Sequence, residues 1–173
     1  IRILNEEAKT SPPGANGLVV LPYFSGALTP LFDAGAKGAI SGLDLTHTRG
    51  DIFRAALEGI AQATRHIIET YASAGQPPCE VFAVGGGTKS QVWSQATSDS
   101  CGVVQKLREK TWGASFGDAF LAALAVGDVH PGDMEKWNPV VNEVTPDPAT
   151  RATYDRLYAR FRGTYDVIKP YRS

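Results

Sequence analysis

The chain has 173 residues, 43% of them hydrophobic and 20% charged, which suits one domain with a real core. A net charge of -1 offers no electrostatic case for nucleic acid or an anionic membrane as the main partner. No basic-plus-apolar leader opens the chain, and no apolar run approaches the roughly 20 residues of a membrane helix. The cysteines, Cys79 and Cys101, have no metal-like spacing and fit reduced thiols of a cytoplasmic protein. His47, His66 and His130 stand far apart with no second ligand type nearby, so zinc is not expected.

In chain order, residues 1–10 look like ordinary structure, and Ser11 to Gly17 read as a loop. Leu18 to Leu21 form a short apolar strand stopped by Pro22, followed by an irregular, ordered segment from Tyr23 to Lys37. Gly38 to Leu45 alternate weakly and predict a second strand. Thr48 or Asp51 caps a long helix whose apolar positions, from Ile52 to Tyr71, keep helical spacing. Gly75 and Pro77-Pro78 end it.

Glu80 to Val84 read as a buried strand, followed by Gly85-Gly86-Gly87-Thr88-Lys89-Ser90-Gln91. The glycines allow a sharp turn and leave no Cβ to obstruct a ligand. A helix over roughly Ser90 to Ser100 follows, with Val92, Trp93 and Ala96 on one face, and then a strand over Val103 to Leu107. Gly113 to Val126 are apolar almost all round and predict a buried helix, closely packed and capped by Gly127. Asp128 to Asp147 read as a proline-bearing surface passage, and a last helix starts near Pro148. The order is that of an α/β protein with a layered core and no internal repeat.

A strand, a glycine turn and a helix N-terminus together favour an anion or a nucleotide. Neither common phosphate motif fits the turn. Lys89 follows Thr88, where a P-loop needs glycine, and Ser90 stands where the dinucleotide fingerprint needs glycine.

Three stretches together resemble the FGGY carbohydrate kinases. The family's second signature is matched by Gly38, Ile40, Gly42 and Leu43, a seven-residue gap, then Asp51, Ile52, Ala55, Ala56, Leu57 and Glu58. Gly85 to Ser90 with Trp93 is similar to the family's adenosine motif, and Gly113 to Ala119 to the small-residue helix beside that pocket. Leu21 to Gly26 with Thr29-Pro30 is similar to the loop ahead of the signature.

The resemblance implies an actin-like ATPase (ribonuclease H-like) domain, a mixed sheet flanked by helices, with residues 1–173 as the C-terminal domain of such a kinase. It implies ATP with Mg2+ as cofactors. A sugar or polyol, such as the ketopentoses xylulose and ribulose, would be held mainly by an N-terminal domain outside this chain. The catalytic carboxylate is expected there too, so no catalytic or metal-binding residue is assigned here. Gly86, Gly87, Thr88, Ser90 and Gln91 are the expected nucleotide-binding residues. In that reading the two glycines let backbone pass close to ribose and α-phosphate, while Ser90 and Gln91 reach the adenine edge. Lys89 is either near phosphates or a solvated helix-start lysine. Gly113 to Gly117 are expected to give structural support through close helix packing, Asp33 a loop role and Asp51 an N-cap role. A homodimer of the full-length protein remains open. A non-catalytic actin-like ATP-binding or regulatory domain is the alternative, and an unrelated dinucleotide protein a weaker one.

Overall fold

The computed structural model describes residues 1–171; Arg172 and Ser173, which close the expected domain, lie outside the described residues. The chain opens with helix α1 (Arg2–Thr10), which composition alone left unassigned. A turn through Ala15–Gly17 leads into strand β1 (Val19–Leu21), all three residues of which are buried. β1 pairs antiparallel with β2 (Ala39–Ser41), Val20 lying opposite Ile40. The second strand is shorter than its weak alternation suggests: Gly42 takes a positive φ of 86°, and Leu43 and Leu45 beyond it are exposed.

Helix α2 (Arg49–Ser73) is the centre of the molecule and packs against α1 and β1. Its start is a capping box: the Asp51 amide donates to Thr48 Oγ1 at 3.2 Å, and the Thr48 amide donates to Asp51 Oδ2 at 2.8 Å. Thr48 is therefore the N-cap, and Asp51 sits at the third helical position, which corrects the N-cap role expected of it. Asp51 also holds the preceding loop, accepting from Ser11 Oγ at 2.5 Å and Asn16 Nδ2 at 2.9 Å. Those hydroxyl and amide donors, Ser11 first and then Thr48, bring its carboxyl down to about 2.

One and two turns further along α2, Arg54 and Glu58 are buried together, 8% and 0% exposed. Glu58 Oε1 accepts from Arg54 Nε at 2.8 Å, from the Gly14 amide at 3.0 Å and from Tyr154 Oη at 3.0 Å. Burial nevertheless pushes the Glu58 carboxyl up, and its Oε2 has no hydrogen-bond partner among the described residues. Ala55, between them, packs with Leu18 and Val20.

Strand β3 (Val81–Ala83), helix α3 (Gln91–Cys101) and strand β4 (Gln105–Arg108) form a parallel β-α-β unit. β4 also pairs antiparallel with β5 (Val140–Val144), giving a mixed sheet in the order β3-β4-β5. β5 lies inside the stretch expected to be a surface passage, which also holds the single-turn helix α5 (Met134–Trp137). Its backbone completes the ladder of β4, and that pairing outweighs its exposed, irregular side-chain pattern.

Helix α4 (Ala114–Val126) forms where expected and ends at Gly127 in the left-handed region. It is not a buried helix, however. Phe120 is its single buried residue, while Leu121 and Val126 are 61% and 73% exposed. The helix is held on one side, where Phe116 and Phe120 meet Trp137 edge-on at 5.9 and 5.2 Å. β3 is likewise less covered than a buried strand, with Phe82 37% and Val84 58% exposed. The last helix, α6 (Arg151–Ile168), follows a short turn at Pro148–Thr150. It buries Tyr154, Leu157, Phe161 and Tyr165 against Val19, Leu21 and Tyr23. Asp33 has the loop role expected of it, accepting from the Gly35 amide at 3.1 Å and from Tyr165 Oη at 2.6 Å.

Two stability measurements check this account. Glu58→Ala leaves Arg54 buried without its carboxylate, and chemical denaturation is expected to show a loss of about 3–5 kcal/mol. Asp51 is an ion whose folded pKa lies below its unfolded value. Its contribution is complete above about pH 4 and disappears as the pH falls towards about 2. The stability gap between wild type and Asp51→Asn should therefore shrink across that window. A gap that stays constant from neutral pH to about pH 2 contradicts the assignment.

Candidate functional site

At the end of β3 the chain turns on Gly85, whose φ of 82° and ψ of -168° are open to glycine alone. A short helical turn, Gly86–Lys89, follows, and its opening amides have no partner within the turn. Thr88 Oγ1 donates to the Gly85 carbonyl at 2.8 Å and closes the turn. Ser90 is the N-cap of α3: its Oγ accepts from the Trp93 amide at 3.4 Å and donates to Asn5 Oδ1 at 2.6 Å. That hydroxyl is engaged in anchoring α3 to α1.

The two expected glycines have different surroundings. A Cβ added at Gly86 would meet no atom of the described residues within 4 Å. At Gly87 it would meet the Trp93 ring, with Cζ3 at 2.7 Å. The indole thus lies under Gly87, which accounts for an aromatic six residues downstream in the motif. Gly86 offers bare backbone to a ligand, and Gly87 is spoken for by packing.

The amide of Gly85 donates to the Thr111 carbonyl at 2.9 Å, which ties this turn to the one that follows β4. Gly113, at the start of α4, and Gly117, one turn on, also have no atom within 4 Å of a built Cβ. Among the described residues, the close helix packing expected of them is not seen. Two glycine turns thus sit together at the carboxyl ends of two parallel strands, β3 and β4, where open α/β sheets characteristically bind ligands. Bare backbone at Gly86, Gly113 and Gly117 fits the close approach of a nucleotide.

The remaining expected residues divide around the turn. Thr88 and Gln91 open onto a groove between α3 and β5, which Lys89, Asn142, Glu143 and Thr145 also line. Gly87 and Thr88 border a second groove on the α2 side of β3. Gln91 is exposed at the first turn of α3. The contributions of β5 and of Thr111 escaped the sequence reading. The first needs strand pairing across more than thirty residues, and the second is a backbone carbonyl with no residue-type signal. Among the described residues, no group of three or more His, Cys, Asp or Glu is placed to hold a metal ion. No helix among them is long and apolar enough to cross a membrane.

Residues 2–126 match the FGGY family of carbohydrate kinases, C-terminal domain. A xylulose kinase of Staphylococcus epidermidis is 32% identical over 94% of this chain and 33% of its own length. A ribulokinase of Bacillus licheniformis is 29% identical over 94% of the chain and 31% of its own length. Among solved structures, the xylulose kinase of Rhodospirillum rubrum superposes with a TM-score of 0.84 at 37% identity, over 98% of this chain and 34% of that one. The glycerol kinase of Plasmodium falciparum, solved with ADP, has a TM-score of 0.76 at 23% identity over 95% of this chain and 33% of that one, and shows the shared fold alone. The chain spans about a third of the length of these relatives. With its mixed sheet flanked by helices it has the actin-like ATPase fold of those kinases, and it belongs to the FGGY family of carbohydrate kinases, within the C-terminal domain.

Proposed function

We propose that this chain is the C-terminal nucleotide-binding part of a longer kinase that uses Mg2+ and ATP to phosphorylate a sugar, with a ketopentose such as xylulose as substrate. The family match supports the reaction class, and the names of the relatives support the ketopentose. The observation that carries the site is the pair of joined glycine turns with open backbone at Gly86, Gly113 and Gly117.

When bound, ATP supplies the γ-phosphoryl group, which passes to a sugar hydroxyl oxygen as ADP departs and a carboxylate outside this chain takes the hydroxyl proton. The residues of this chain bind and orient. Gly86 lets ribose and α-phosphate approach its backbone without obstruction. Gln91, exposed at the first turn of α3, presents an amide to the adenine edge. Thr88 keeps the turn closed, and its hydroxyl oxygen retains acceptor capacity towards the ligand. Ser90 positions α3 through Asn5 and the Trp93 amide. Gly87 acts through Trp93, so its contribution is the shape of the turn. Mg2+ would be brought by the triphosphate, and no residue of this chain is assigned to hold it.

The two glycines separate binding from folding. In the full-length protein, Gly86→Val should weaken ATP binding by about tenfold or more, a loss of about 1.4 kcal/mol, while the melting temperature stays near wild type. Gly87→Val should instead lower the melting temperature, because its side chain meets the Trp93 ring. Wild-type ATP affinity in a folded Gly86→Val variant removes the turn from the site. ADP release with D-xylulose or D-ribulose tests the substrate, and no turnover on either removes the ketopentose. Purified residues 1–173 alone are expected to phosphorylate no sugar.

A further inference from the structure

The loop that Asp51 and Glu58 hold from within has an outer side as well. Between it and α6 lies a groove of about 360 Å³, lined by Pro12, Pro13 and Asn16 of the loop and by Thr153, Arg156 and Arg160 of the helix. Arg156 and Arg160 stand four residues apart on α6 and so share one face, where like charges repel. Other arginines of the chain are engaged: Arg49, Arg54, Arg65, Arg108 and Arg151 each meet a carboxylate. Arg156 and Arg160 have no carboxylate partner among the described residues, and no acidic residue lines the groove. Asp51 and Glu58 lie behind the loop, buried in the clamp.

We propose that this groove binds a phosphoryl dianion, carried on a small metabolite or free as inorganic phosphate. Its walls are fixed before a ligand arrives. The Gly14 amide donates to Glu58 Oε1 at 3.0 Å, Asn16 Nδ2 donates to Asp51 Oδ1 at 2.9 Å, and the Ser11 carbonyl accepts from Arg54 Nη1 at 2.8 Å. A wall held in this way loses little freedom on binding. The Arg160 guanidinium lies where the loop and the end of β2 come together: a Cβ built on Gly17 would stand 3.5 Å from its Nη1, and one on Gly42 3.2 Å from its Nη2. Arg156 Nη2 donates to Thr153 Oγ1 at 3.3 Å, which leaves the proton of that hydroxyl to donate elsewhere. Two planar forks without a carboxylate match the oxygens of a phosphoryl group, which arginine pairs with through two parallel hydrogen bonds. Pro12 and Pro13, both exposed, offer apolar surface to the carbon skeleton of an ester. A nucleic acid or an anionic membrane needs a wider basic surface than two arginines on a chain of net charge -1. The groove shares no residue with the glycine turns, and the inference does not depend on where the nucleotide binds.

Calorimetric titration of the full-length protein with inorganic phosphate and with ribose 5-phosphate tests this, at about 0.15 M salt and with a saturating non-hydrolysable ATP analogue present. At least one of the two should bind with a dissociation constant of about 1 mM or tighter. Arg156→Gln and Arg160→Gln should each weaken that binding about tenfold or more, while ATP affinity stays at the wild-type value. Tighter binding of the ester assigns the rest of the groove to a metabolite, and equal binding assigns it to free phosphate. Binding weaker than about 10 mM overturns the proposal, as does wild-type affinity in both variants. Equally tight binding of a glutamate-rich peptide also overturns it and gives the groove to an acidic protein surface. The melting temperature supplies a second reading: phosphate should raise it in the wild type and leave it unmoved in the double variant, and an equal rise in both overturns the proposal. Phosphate binding of the expected kind in a protein that binds no ATP would leave this inference standing and remove the proposed nucleotide site.

Discussion

A single carboxylate oxygen, Glu58 Oε1, holds three separated parts of the chain at one point. It accepts from Arg54 on its own helix, from the amide of Gly14 in the preceding loop, and from Tyr154 on the last helix. Arg54 in turn donates to the carbonyl of Ser11 at 2.8 Å, so the loop is gripped at both ends of its proline pair. A buried charge of this kind contributes little net stability when satisfied, and it penalises heavily any arrangement that removes a partner. It therefore selects one placement of the loop, and with it of β1, on the flank of α2. The signature that carries the family resemblance reads, in this light, as a folding device. Asp51 and Glu58 clamp the loop, and Ala55 lets Leu18 and Val20 close on the helix. None of these residues lies at the glycine turns.

How far the fold was legible depended on whether a signal was local. α2 could be read, save for which of Thr48 and Asp51 caps it, because its capping residues, its apolar stripe and its stop signals lie within its own sequence. The same is true of the turn after β3. β5 could not be read, because Val140 to Val144 become a strand through backbone bonds to Gln105 to Arg108, and their side chains do not record it. α1, nine residues long with no side-chain cap, gave too little local signal for assignment. α4 and β3 failed in the opposite direction. Their composition describes elements covered on all sides, and the structure covers only part of each.

The turn that carries the expected site residues was legible, and the direction each of them faces was not. Thr88 and Gln91 line one groove, while Gly87 and Thr88 border another. The hydroxyl of Ser90 is directed into the fold, the amide of Gln91 out of it. The tie from Gly85 to Thr111 has no trace in residue type, yet it joins the turns that follow β3 and β4. Asp51, held down to about 2 by its hydroxyl donors, and Glu58, pushed up by burial, lie in the clamp around α2.

The contrast between Gly86 and Gly87 has a consequence for how such a chain changes over generations. Trp93 polices Gly87 from within, so any descendant that keeps the indole and the fold must keep that glycine, whatever its activity. Gly86 meets none of the described residues within 4 Å, and on the proposed reading a bound nucleotide is what a side chain there would obstruct. In a lineage released from nucleotide binding, position 86 would drift while position 87 stood still, so the two adjacent glycines keep separate records, one of use and one of shape.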